Sequence, residues 1–104
     1  MKEKARKSEF LRIFQNVDAN ERLLVERLID EAIYLEERME ELRKMPFIQI
    51  NPNNPAQQRT TPAAKQYKEC SQSYMNAVRI LLNVLRKVDS DAENELLRKL
   101  EEFS

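Results

Sequence analysis

The amino-acid sequence predicts an all-α protein: a long antiparallel helical hairpin with short flanking N- and C-terminal helices, an extended proline-rich connector and an oligomeric assembly. Three observations carry this reading. Apolar residues recur every three or four positions through two long segments, the spacing of one helix face. The 104-residue chain contains no glycine and is 35% charged, the composition of surface-rich helices rather than of a sheet protein. All four prolines fall within residues 46 to 65, between the two periodic segments. The length corresponds to one small domain, residues 1–104.

The elements follow in order. Residues 1–17 are a basic N-terminal segment in which Phe10, Ile13, Phe14 and Val17 give an apolar edge at helical spacing. Asp18 or Asn20 then offers an N-cap, because either side chain can accept from the free amides of the next turn. A long helix is expected over residues 20–45, where Leu24, Leu28, Ala32, Leu35, Met39 and Leu42 follow at spacings of three and four, flanked by Val25, Ile29 and Ile33. Its opposite face carries Glu36, Glu40 and Arg43 as a solvated charged surface. Pro46 ends it by disfavouring helical geometry in the residue before it. Residues 46–61, PFIQINPNNPAQQRTT, are expected to run extended, anchored by Phe47, Ile48 and Ile50. Thr61 is a favoured cap and Pro62 a favoured first residue for a second long helix over 62–88. Its stripe is Tyr67, Cys70, Tyr74, Ala77, Leu81, Leu85 and Val88. Asp89-Ser90-Asp91 introduces a short acidic helix over 90–103, with Leu96, Leu97, Leu100 and Phe103 on one side.

Each long helix should reach about 38 Å at 1.5 Å per residue, and equal lengths joined by a connector favour antiparallel pairing. The candidate core and oligomerisation residues are Leu24, Leu28, Leu35, Met39, Leu42, Tyr67, Tyr74, Leu81 and Leu85. These stripes are wider than one seam between two helices needs, and a chain of this size often completes its core with partners. A homo-oligomer is therefore expected.

The formal net charge is zero, so global charge names no partner, but its layout is uneven. Residues 1–17 carry five Lys/Arg against two acids, and residues 89–104 carry six acids against two bases. Such a basic head suits DNA phosphates or head-to-tail pairing between subunits. The candidate DNA contacts are Lys2, Lys4, Arg6, Lys7 and Arg12. Arg59, Lys65, Lys68, Arg79, Arg86 and Lys87 form a second cationic set. Pairing with the acids of the first long helix and the tail is the competing use of both sets.

The inventory of reactive side chains argues against catalysis. Histidine is absent and Cys70 is the only cysteine, which excludes a His general base, a serine triad of the usual kind and a thiol zinc cluster. Without glycine there is no phosphate-cradling loop. Glu36-Glu37 and Glu40-Glu41 stand beside Arg38, Arg43 and Lys44, so they read as a solvated face rather than a metal site. Cys70 lies on the apolar stripe and is expected to be an unreactive packing residue. No catalytic residue, metal or cofactor is expected. No apolar run approaches the roughly 18 residues a membrane span needs. MKEKARKSEF has no hydrophobic segment behind its charges, so it does not read as a secretory signal. The expectation is a soluble, intracellular protein.

The order of parts resembles the small subunit of tailed-phage terminases: a basic N-terminal segment, a long charged helix, an Asn-Pro connector, and a second long helix with a charged tail. The connector is the most specific part, through Asn51-Pro52, Asn54-Pro55 and the Ala-rich helix start Pro62-Ala63-Ala64. The likeness covers about residues 20 to 90. It implies a phage or prophage DNA-packaging adaptor in the cytoplasm of a bacterial host cell. It further implies that the hairpin assembles into a ring, that the assembly recognises double-stranded DNA, and that the tail engages the large terminase subunit. The reading from a different class is a structural helical scaffold or interaction module that never touches nucleic acid. A small dimeric RNA binder is a third, for which no basic-aromatic interleaving on an exposed face is seen.

Overall fold

The computed structural model describes residues 2–103, with side chains from Ala5 onward. It contains α1 (Lys2–Ile13), α2 (Ala19–Arg43), β1 (Ile48–Asn51), β2 (Asn54–Thr60), α3 (Pro62–Arg86) and α4 (Ser90–Glu101). Local chemistry sets the boundaries. Asp18 caps α2 by accepting from the Asn20 amide, Thr61 caps α3 by accepting from the Ala64 amide at 3.2 Å, and Asp89 caps α4 by accepting from the Asp91 amide at 3.0 Å. Pro62 occupies the first turn of α3, where its missing N–H leaves no bond unmade. α2 stops at Arg43 and α3 at Arg86, each two residues short of the expected end.

The connector departs from expectation. Instead of one extended run it doubles back as an antiparallel ribbon, pairing Ile48 with Thr60, Gln49 with Arg59 and Ile50 with Gln58. The fold is therefore mostly helical with a small two-stranded sheet, not all-α. Asparagine side chains make the turn: Asn51 Oδ1 accepts from the Asn53 amide at 3.0 Å and Asn54 Oδ1 from the Ala56 amide at 3.3 Å. Such side-chain turns reverse the chain without glycine, and no described residue has positive φ. Thr61 closes the base, its amide donating to the Phe47 carbonyl and its hydroxyl to the Pro46 carbonyl at 2.7 Å. Of the three expected anchors only Phe47 is half-buried, with its ring 5.3 Å from that of Tyr67. Ile48 and Ile50 are more than half exposed.

α2 and α3 pack side by side with contacts in opposite chain order: Arg43 donates to the Tyr67 hydroxyl, Arg38 to Gln66, and Tyr74 to Glu36. α1 and α4 lie against this pair. One core cluster joins Phe10, Phe14, Ile29, Leu81, Leu85 and Leu96, drawing on all four helices. A second joins Ala32, Leu35, Met39, Tyr74 and Val78, with Tyr67, Cys70 and Phe103 half-buried at its margin.

Because α2 buries one arc against both α1 and α3, its inward line runs through Val25, Ile29, Ala32, Glu36 and Met39. Leu24 falls at the edge of that arc and is 51% exposed, so it is not a core residue of the single chain; Leu28 is half-buried. Leu35, Met39, Leu42, Tyr74, Leu81 and Leu85 are buried as expected.

The molecule measures 60 × 28 × 21 Å. Helices of 25 residues account for about 38 Å of its length. Among the described residues no helix is long and apolar enough to cross a membrane.

Candidate nucleic-acid interface

Two cations of the basic head, Arg6 and Lys7, are engaged within the chain. Arg6 forms a two-pronged ion pair with Glu36, at 2.6 and 2.7 Å, and also donates to the Lys99 carbonyl. Its guanidinium lies 4.8 Å from the Phe10 ring centre. The Tyr74 hydroxyl donates to the same carboxylate at 2.6 Å. Glu36, expected on the solvated face, is thus the one buried charged residue among those described, at 4% exposure. Two donors compensate the cost of taking its charge out of water. The hydrogen bond to Glu36 holds the Arg6 pKa above its ordinary value, while burial, and then the bond to Glu36, push the Tyr74 phenol far above its own.

Lys7 bridges Asp30 at 2.9 Å and Glu26 at 3.4 Å, and the Asp30 hydrogen bond raises its pKa. Lys99 of α4 ties back to Glu9 of α1 at 2.6 Å, which raises the lysine pKa and lowers that of the glutamate. Of the five head candidates, Arg6 and Lys7 are committed to intramolecular pairs. Arg12 is exposed in a groove between α1 and α4 beside Glu9, Glu95 and Glu102. The Lys2 and Lys4 side chains lie outside the described residues.

The other end of the molecule is different. Residues 42 to 68, which comprise the end of α2, the ribbon and the start of α3, hold Arg43, Lys44, Arg59, Lys65 and Lys68 and not one Asp or Glu. Continued to residue 88, the segment adds Arg79, Arg86 and Lys87 and the single acid Glu69. Arg43 is stacked between Tyr67 and Phe103, 5.6 and 5.1 Å from their ring centres. Arg86 pairs with Glu93 at 3.3 Å. Lys44, Arg59, Lys65, Lys68, Arg79 and Lys87 are exposed, with no acidic partner at ion-pair distance among the described residues.

Every residue of both strands is exposed. Strand alternation gives the ribbon two unlike faces. Ile48, Ile50, Gln58 and Thr60 share one. Gln49 and its partner Arg59 share the other. The register then shifts between Ile50 and Asn51, which pairs with Asn54, and beyond that irregularity the Asn51 and Gln57 side chains are joined by a 2.9 Å hydrogen bond.

Sequence reading named Arg59, Lys65 and Lys68 but missed the signal that unites them, a 27-residue window empty of acids. It also missed Gln49, which strand pairing sets opposite Arg59, and Asn51 and Gln57, which a side-chain hydrogen bond joins once the chain folds back. No protein-family model, curated protein or solved structure matches the chain.

Proposed function

We propose that this protein is a non-enzymatic DNA-packaging adaptor, a small terminase subunit that oligomerises through an antiparallel helical hairpin, binds double-stranded DNA and engages the large terminase subunit. One observation carries the DNA part of this reading: residues 42 to 68 contain no acid, and Lys44, Arg59, Lys65 and Lys68 within them are exposed with no ion-pair partner among the described residues. Free surface cations are what phosphate contact and counterion release require, whereas paired ones would first have to break an existing bond. The setting in phage packaging rests on the order of parts and the Asn-Pro connector.

Assembly of copies is supported by the same segregation of charge. α2 carries eight acids against four bases, and α3 carries one acid against four bases. The outer surface of α2 also exposes Leu23 and Tyr34, and α3 exposes Met75 and Ile80. The acidic α2 face meeting the Arg79 end of α3 on the next copy, away from Lys65 and Lys68, makes a heterologous contact, the kind that closes into rings.

The test is fluorescence anisotropy of the full chain on random-sequence duplex DNA across a salt series. Binding with a log–log salt slope of about −0.9 per phosphate contacted is expected. Lys65→Gln with Lys68→Gln should weaken affinity and flatten the slope by about two such increments. Absence of binding at low salt overturns the reading and favours the scaffold.

A further inference from the structure

We propose that the β1–β2 ribbon enters the major groove of duplex DNA and reads base edges with Gln49 and Arg59, beside the Gln57 side chain that Asn51 holds by a hydrogen bond, which gives the protein sequence selectivity as well as affinity. This inference rests on the DNA-binding reading above and adds to it the reading element, the groove and the residues.

Shape is the first argument. Two paired strands lie about 4.8 Å apart, and a two-stranded ribbon fits the roughly 12 Å major groove of B-form DNA. β1 is four residues long and sets the paired length, so the ribbon projects by about 13 Å at 3.4 Å per residue, more than the roughly 8.5 Å depth of the major groove.

Side-chain chemistry is the second. A ribbon held in place only by phosphates would carry lysine and arginine; this one carries a single cation, Arg59, among amides. Glutamine and asparagine pair with the donor and acceptor of adenine, and arginine with the two acceptors of guanine. Gln49 faces Arg59 directly across the strands, which sets an adenine reader beside a guanine reader on one surface.

The third argument is placement. Lys44, Lys65 and Lys68 flank the base of the ribbon in the segment that lacks acids, where a duplex receiving the ribbon would bring its phosphates. Phosphate contacts position and base contacts specify, and here the two kinds of residue are spatially sorted. The A-form groove of duplex RNA is deep and too narrow for such an element, so the occupant is DNA.

The experiment selects binding sites for the full chain from a pool of randomised duplexes and then compares variants on the selected site and on unrelated DNA. A short preferred motif containing guanine and adenine is expected. Arg59→Ala with Gln49→Ala, at exposed positions that circular dichroism should show unchanged, is expected to lower affinity for the selected site about tenfold or more while changing binding to unrelated DNA far less. Lys65→Gln with Lys68→Gln should weaken both equally. A duplex RNA of the selected sequence should bind much more weakly than the DNA. Selection that yields no motif, RNA that binds equally well, or a ribbon variant that keeps the full preference would each overturn the inference while leaving general DNA binding intact. Absence of binding to any duplex overturns both readings together. A ribbon variant that alters only the oligomeric state, with selectivity preserved, also overturns it and assigns the ribbon to contact between copies.

Discussion

The surfaces where α1 and α4 meet the long helices and the surfaces around the ribbon differ in how they use charge. In the first region, charges answer one another across helices: Arg6 with Glu36, Lys7 with Asp30, and Lys99 with Glu9. In the second, Lys44, Arg59, Lys65 and Lys68 stand in a stretch of sequence without acids. The N-terminal segment of the first region, residues 1–17, looks as basic as the ribbon segment when residues are merely counted. The difference teaches that cation density along a chain is not cation availability; availability depends on which acids the fold brings within reach. The same contrast holds for apolar groups, since Leu96 is fully buried in the helical region while Ile48 and Ile50 of the ribbon are more than half exposed.

Four sets of measurements sharpen this contrast. The largest effect is expected for Leu96→Ala, which empties a site of 0% exposure at the junction of the helices. Chemical denaturation should report a loss of about 2–5 kcal/mol. Ile50→Ser in the ribbon should stay within about 0.5 kcal/mol. A ribbon substitution as costly as the core one would erase the distinction.

Glu36→Gln comes next. It keeps the shape but removes the charge that receives Arg6 and Tyr74, and hydrogen bonds to charged groups contribute about 1.5–3 kcal/mol. Arg6→Ala should be destabilising too, by leaving the carboxylate without its counter-ion. If denaturation midpoints do not move for either variant, the network contributes nothing to the fold.

Thr61→Ala removes the cap of α3 and one tie to the ribbon base, and should cost about 1 kcal/mol. Thr61→Ser should recover most of it, as read by thermal melting.

The smallest effects are the pH dependences. Glu9 titrates lower in the folded chain than in the unfolded one, chiefly through its hydrogen bond to Lys99. Its contribution is therefore complete above the ordinary glutamate range and is lost as pH falls through the folded value. Mild acid should lower the melting temperature slightly in the parent and less in Glu9→Gln. Tyr74 shows the opposite sign. Its folded pKa is raised, so its contribution is complete below the ordinary tyrosine value near 10 and is lost as pH rises. With Tyr34 and Tyr67 changed to Phe, tyrosinate absorbance should appear only together with alkaline unfolding. A separate, earlier titration would show that Tyr74 is not held as described.

Much of the helical architecture was legible because its signals are local. Thr61-Pro62 announced the start of α3, Asp18 was one of two caps offered for α2, and the periodicity placed Leu35, Met39, Leu81 and Leu85 inside. What escaped depends on distant partners. Glu36 lies four residues after Ala32 and three before Met39, on the inward line by spacing alone. Its charge suggested the outside until Arg6 and Tyr74 were found beside it. The ribbon escaped because only β1 alternates apolar residues, Ile48 and Ile50, while β2 offers no such pattern, and asparagine turns carry no glycine to mark them. Leu24 was placed inside by extending a seam that holds for α3 but ignores α1. The candidate site was legible as separate cations and illegible as a surface, since the pairing of Gln49 with Arg59 exists only after the chain folds back.

The prolines have a consequence beyond ending helices. Pro46, Pro52, Pro55 and Pro62 stand at the base, turn and strand of the ribbon, and each fixes its φ in the folded and the unfolded chain alike. A segment so restricted has less conformational freedom to surrender when it is immobilised. A partner gripping the ribbon therefore meets a shape already made, and little of the contact energy is diverted into ordering it. Replacing Pro52 or Pro55 by alanine should leave every contact in place and still weaken complexes formed through the ribbon, with the difference appearing as a less favourable binding entropy.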